Sequence, residues 1–181
     1  MANREALSEM EARLAQRLMA AESGGAAAAS WLAVQSAGHH FLLPLGLAGE
    51  ICALSGLQAV PHARPWFLGV QNVRGSLMGV VDLAGFLALG SVAAALGTQS
   101  LQSAQERRVV TLSSQLEVNC GLLVERLLGL RSSADFPTSA PAPEGAPAYL
   151  GQGLLDAQGT LWRELDLRAL AQSPAFLSIS L

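Results

Sequence analysis

Hydrophobic positions along this chain recur at helical spacing near its start and gather into short, strand-like apolar runs after it, and these patterns outline its elements. Between residues 2 and 22, Leu7, Met10, Leu14, Leu18 and Met19 recur at helical spacing, with Arg and Glu filling the other side. Ser23-Gly24-Gly25 ends that helix. Trp31 to Gln35 and Phe41 to Leu45 read as strands around an Ala37-Gly38 turn. Glu50 to Val60 is a β-leaning apolar stretch with Gly56 as a bulge and Pro61 as its close. Pro65 suits the first position of a short helical turn through Val70. Gly75 to Val81 is the next strand. Asp82 then caps a helix over Leu83 to Leu89, which Gly90 stops.

The second half begins after a small, polar linker, Ser91 to Gln105. Arg108 to Leu112 is a strand, and Leu116 to Leu130 supplies one or two more, with Gly121 and Gly129 marking bends. Ser132 to Pro147 holds four prolines and reads as a long surface loop. An internal echo follows. Gly75, Leu77, Asp82, Leu83 and Phe86 recur at the same spacing as Gly159, Leu161, Asp166, Leu167 and Leu170. In each copy a turn glycine opens a strand, an aspartate caps a helix, and the leucines are expected to face inward. The echo predicts two related halves, each a small β-barrel closed by its strand, cap and helix.

Composition narrows the chemistry. The 181 residues carry a net charge of −3, with 51% hydrophobic and 14% charged. That size suffices for one domain or two small subdomains, and the charge gives no reason to expect a nucleic-acid partner. All eleven basic residues are arginine. The absence of lysine removes phosphate-loop and Schiff-base chemistry. There is no Gly-x-Ser-x-Gly elbow, and His39, His40 and His62 have no nucleophile marked beside them. His39 and His40, adjacent on a strand, point to opposite faces and cannot chelate one ion. No catalytic, metal or cofactor site is therefore expected. Cys52 and Cys120 read as buried free thiols. The charged N-terminus is not a signal peptide, and no stretch reaches the roughly 20 apolar residues of a spanning helix. A cytoplasmic protein without membrane insertion is expected.

The sequence Arg64 to Gly90 remains to be explained. Arg74 is the one charge between Pro65 and Val81, so it must sit at a turn, pair with something, or face a partner. The order Gly69, Asn72-Val73-Arg74-Gly75, Leu77 to Val81, Asp82-Leu83 resembles the signature of CheW-like coupling domains, except that Gly79 stands where the family often has proline. The resemblance continues through Cys120 to Gly129, where Glu125 matches a frequent acidic position, and ends at Gly159 to Leu170. The Arg64-Pro65-Trp66 lead-in is most similar to PilI-type members of type IV pilus chemosensory systems.

The resemblance implies a mainly β fold. Two five-stranded SH3-like barrels would share a core, with an N-terminal helix and short capping helices. It places an N-terminal helix and linker at 1–25, the coupling domain at 28–173 and a C-terminal tail at 174–181. It also implies an adaptor with two partners: the signalling tip of a methyl-accepting chemoreceptor and the regulatory domain of a CheA-type histidine kinase. Trp66 and Phe67, which either plug a barrel end or anchor a partner, join Asn72, Arg74 and Gly75 as candidate interaction residues. Asp82 and Asp166 are candidate caps. The alternative is a small-molecule-binding protein or an enzyme using the groove between the halves.

Overall fold

The fold is described from a computed structural model, which covers residues 30–90 and 106–181. The expected helix over residues 2–22 and the linker Ser91 to Gln105 lie outside the described residues. The strands are β1 (Ser30–Ser36), β2 (His39–Pro44), β3 (Ala48–Cys52), β4 (Phe67–Val73), β5 (Ser76–Asp82), β6 (Arg108–Leu112), β7 (Cys120–Val124), β8 (Arg126–Ser132), β9 (Thr138–Ala140), β10 (Leu150–Leu155) and β11 (Leu161–Leu165). Short helices α1 (Leu83–Phe86), α2 (Leu167–Gln172) and α3 (Pro174–Leu177) follow β5 and β11.

The strands form two sheets, ordered β8-β1-β2-β11-β10-β9 and β3-β6-β7-β5-β4. The first has six strands rather than five because β9 pairs with β10 through Gly153↔Ala140 and Leu154↔Ser139. The echoed segments lie in different sheets, but the halves are not separate. Hairpin β1–β2 from the first half joins the second half's β11 by a parallel pairing, His40↔Trp162 to Leu42↔Glu164. Hairpin β6–β7 from the second half joins the first half's β5 in the same way, Gly79↔Cys120 to Asp82↔Leu123. Each sheet is thus one half's hairpin laid against the other half's strands. The two halves are built across one another and share one core, as expected.

Both faces of the central strands are buried, which is why their sequences read as continuous apolar runs. Leu32, Val34, Phe41 and Leu43 from one sheet meet Val81, Val110, Leu122 and Val124 from the other in a shared core, together with Leu165, Leu167 and Leu170. The alternate residues turn away. Trp31, Ala33, Leu42, Leu154 and Trp162 form a second cluster, and Val80, Ala84, Val109 and Leu123 a third.

Several local expectations change. Pro65 starts no helical turn: the Phe67 N–H donates to the Arg64 carbonyl, and β4 begins at once because Phe67, Val70 and Val73 are better placed in a ladder with β5. β3 stops at Cys52, and beyond it only Gln58 pairs, through a bridge to Val70. Gly121 lies inside β7, not at a bend. A Cβ there would come within 2.5 Å of Val109 Cγ1, so glycine is required by close approach. The proline-rich Ser132 to Pro147 is anchored by β9 and by buried Phe136, whose ring meets Trp31 and Trp162 edge-on. Leu77 and Leu161 face outward, 59% and 44% exposed, whereas Leu83 and Leu167 are fully buried. The terminal segment is packed: Phe176 enters the shared core, and Ser180 bridges Ala63.

Candidate protein-interaction surface

The β4–β5 hairpin carries the feature that Arg74 raised. Val73 and Ser76 pair directly, leaving Arg74-Gly75 as a two-residue turn. Both turn residues have positive φ, 50° and 87°, the signature of a type I′ turn that matches strand twist. Glycine takes this conformation freely, whereas for arginine it is disfavoured. Asn72 Oδ1 accepts from the Gly75 N–H at 2.8 Å and fixes the turn from within.

Arg74 is therefore no buried ion. Its Nη1 lies 3.0 Å from Glu50 Oε1, and the side chains are 80% and 48% exposed. Glu50 stands on β3, its N–H donating to Thr111 Oγ1 at 2.7 Å. β3 and β4 are opposite edges of the same sheet. Gln71 draws these edges together from β4. Its Nε2 donates to the Ala53 carbonyl, and its Oε1 accepts from the Ser55 N–H. The sequence reading missed Glu50. The available signal was that Glu50 is the sole acidic residue between Glu22 and Asp82, as Arg74 is the sole charge in its run.

Trp66 and Phe67 sit at the other end of β4 and are half-buried. Trp66 stacks on Phe176 at 6.3 Å and meets Phe86 edge-on at 5.1 Å. Phe86 in turn contacts Tyr149, so this cluster joins elements that follow both sheets. The Phe67 ring lies over Gly79, where a Cβ would approach it to 2.9 Å. This space is what the glycine provides. The structure thus gathers Asn72, Arg74, Gly75 and Glu50 at one exposed tip and packs the two aromatics against the core.

The two aspartates act locally. Asp82 is fully buried and its carboxylate accepts from the Gly85 N–H; exposed Asp166 accepts from Arg168 and Ala169 N–H groups. Glu125 Oε2 accepts from Gly38 N–H at 3.3 Å and holds the β1–β2 turn. Among the described residues no group of His, Cys, Asp and Glu could hold a metal, and no helix is long and apolar enough to cross a membrane. Burial pushes the Cys120 thiol up to about 12, and it also raises Cys52.

The described residues thus form two interleaved sheets, with capped helices after β5 and β11 and an exposed arginine turn. The chain belongs to the CheW-like domain family, whose model matches residues 30–175. It is 30% identical to protein PilI of Pseudomonas aeruginosa over 155 residues, which cover 83% of this chain and 81% of that protein. Its fold is similar to that of the scaffolding protein TtCheW from Thermoanaerobacter tengcongensis, with a TM-score of 0.63 at 14% identity, covering 82% of this chain and 95% of that one. It is a chemotaxis-type scaffold, in a family of adaptors and not of enzymes.

Proposed function

We propose that this protein couples chemoreceptors to a CheA-type histidine kinase in a chemosensory system that controls type IV pili. The likeness to PilI supports the pilus assignment, and family membership supports the coupling role. In this reading the adaptor works in the cytoplasm. Residues 28–173 are its coupling domain, residues 1–25 are an appendage, and 174–181 close the domain's end. One partner is the helical receptor tip and the other the kinase regulatory domain. Holding both in one array lets small receptor shifts alter kinase activity.

The observation that carries the reading is the conformation of Arg74. A charged side chain is held at positive φ on an exposed hairpin tip, with one half-exposed carboxylate as its ion-pair partner among the described residues. A residue that contributes so little to its own fold, in a conformation that costs energy, fits selection for contact with another molecule. Asn72 and Gly75 serve by shaping the turn, and Trp66 and Phe67 support it from the far end of β4. The test pairs a thermal melt of Arg74→Glu with pull-downs on the cognate receptor signalling domain and kinase regulatory domain. The melt should stay close to that of the natural protein while capture by at least one partner falls. Retained capture by both, or a collapsed melting temperature, overturns the proposal.

A further inference from the structure

A second feature lies away from the hairpin tip, between the six-stranded sheet and the residues after α1. A half-open cleft of about 400 Å³ is bounded by β2, the residues after α1, and β11. Phe41, Leu87, Leu150 and Leu161 provide apolar walls, and this volume falls within the range of small-molecule sites. Arg163 stands on β11 and lines the cleft. Its Nη1 is buried, and among the described residues no hydrogen-bond acceptor reaches it. A buried guanidinium N–H without an acceptor is costly, so the position calls for an anion.

The surroundings sharpen the charge. His39 and His40 also line the cleft, and no Asp or Glu does so among the described residues. The nearby carboxylates are engaged elsewhere. Glu125 accepts from Gly38 N–H, Glu164 from Trp31 Nε1 and Asp156 from Trp162 Nε1. The internal echo shows how the cleft arises. Arg163 corresponds to Gly79 in the first copy, where the Phe67 ring covers the position. In the second copy the residue at Phe67's place in the ladder is Leu150, which pairs with Leu165 as Phe67 pairs with Val81 and has no ring to offer.

We propose that this cleft binds a small organic carboxylate, with an apolar body against Phe41, Leu87, Leu150 and Leu161 and its carboxylate on Arg163. An Arg–carboxylate pair is strong because two N–H groups can meet two oxygens, and apolar walls exclude competing water. Bound there, the ligand would touch both the residues after α1 and β11. The inference rests on no part of the adaptor reading and survives its failure.

The experiment uses the full chain and two probes of equal shape, 2-naphthoate and 2-naphthylmethanol, titrated by calorimetry. The carboxylate should bind saturably, at least tenfold more tightly than the alcohol, and Arg163→Gln should erase that preference without lowering the melting temperature. Equal binding of both probes, no saturable binding, or an unchanged preference in Arg163→Gln overturns the proposal. If that variant fails to fold, the natural protein still decides. The ring signal of His39 must shift in NMR spectra on titration with naphthoate, and an unmoved signal overturns the proposal.

Discussion

Replacing Arg74 with asparagine separates what the hairpin tip does for the fold from what it does for a partner. A non-glycine residue in left-handed conformation costs about 1–2 kcal/mol, and Arg74 sits there at φ 50°. Asparagine tolerates that region, and Asn-Gly is the preferred pair for a type I′ turn, so the substitution returns roughly 0.5–1 kcal/mol. Against this stands the lost ion pair with Glu50. With side chains 80% and 48% exposed, it contributes about 0–1 kcal/mol. The net change thus lies between a loss of about 0.5 and a gain of about 1 kcal/mol. For a chain of this size that moves Tm by roughly −2 to +4 °C. Binding responds differently. If Arg74 meets an acidic group on the receptor or kinase, its removal costs about 2 kcal/mol, roughly 30-fold in Kd. Calorimetric melting and titration with each isolated partner domain measure both quantities on one preparation. A Tm lowered by more than about 4 °C, or undiminished affinity for both partners, would refute the reasoning.

Other perturbations test the fold and its chemistry. Gly121→Ala puts a Cβ within 2.5 Å of fully buried Val109, and urea unfolding should show a loss of about 1–3 kcal/mol. Asp166→Ala removes the acceptor for two helix N–H groups and should cost about 1 kcal/mol in the same assay. The Asp156 carboxyl is held below its ordinary range, chiefly by the Trp162 indole N–H. Its contribution is therefore present above the unfolded value near 4 and lost as pH falls through the lower folded value. Asp156→Asn should flatten the acid limb of a stability–pH curve. The native protein at pH 8 should react with a thiol reagent only at Cys52, and at both cysteines once unfolded, because burial holds Cys120 at about 12.

The strands and the capped helices were legible because their signals are local. Short apolar runs bounded by turn residues marked β1, β2, β5 and β6. The Asp82 and Asp166 patterns placed helices after β5 and β11, since a carboxylate two or three residues before a free N–H is a short-range matter. The echo correctly separated the two segments into different sheets. It did not reveal the exchange of hairpins, because pairing His40 with Trp162 depends on contacts across the whole chain. Leu77 and Leu161 were misjudged for a related reason: a strand leaving a turn glycine alternates faces, and only the sheet's far side shows which leucines are inside. At the surface, Arg74 stood out as a lone charge, but its pairing with Glu50 required the meeting of two sheet edges. Arg163 was silent, since an arginine in a strand looks like any solvated residue until its acceptors are sought in three dimensions.

The exchange of hairpins also dictates the order in which the chain can be completed during synthesis. The five-stranded sheet has all its strands once β7 has emerged at Val124. The β1–β2 hairpin is the first strand pair made, yet its neighbour β11 comes from the far end. A lone two-stranded hairpin is marginal in water, so Leu42, whose cluster needs Leu154 and Trp162, stays uncovered while roughly 120 further residues are made. At about 5–20 residues per second that wait lasts on the order of 6–24 s. The oldest part of the nascent chain is thus among the last to be buried, and it is where a chaperone has most to protect.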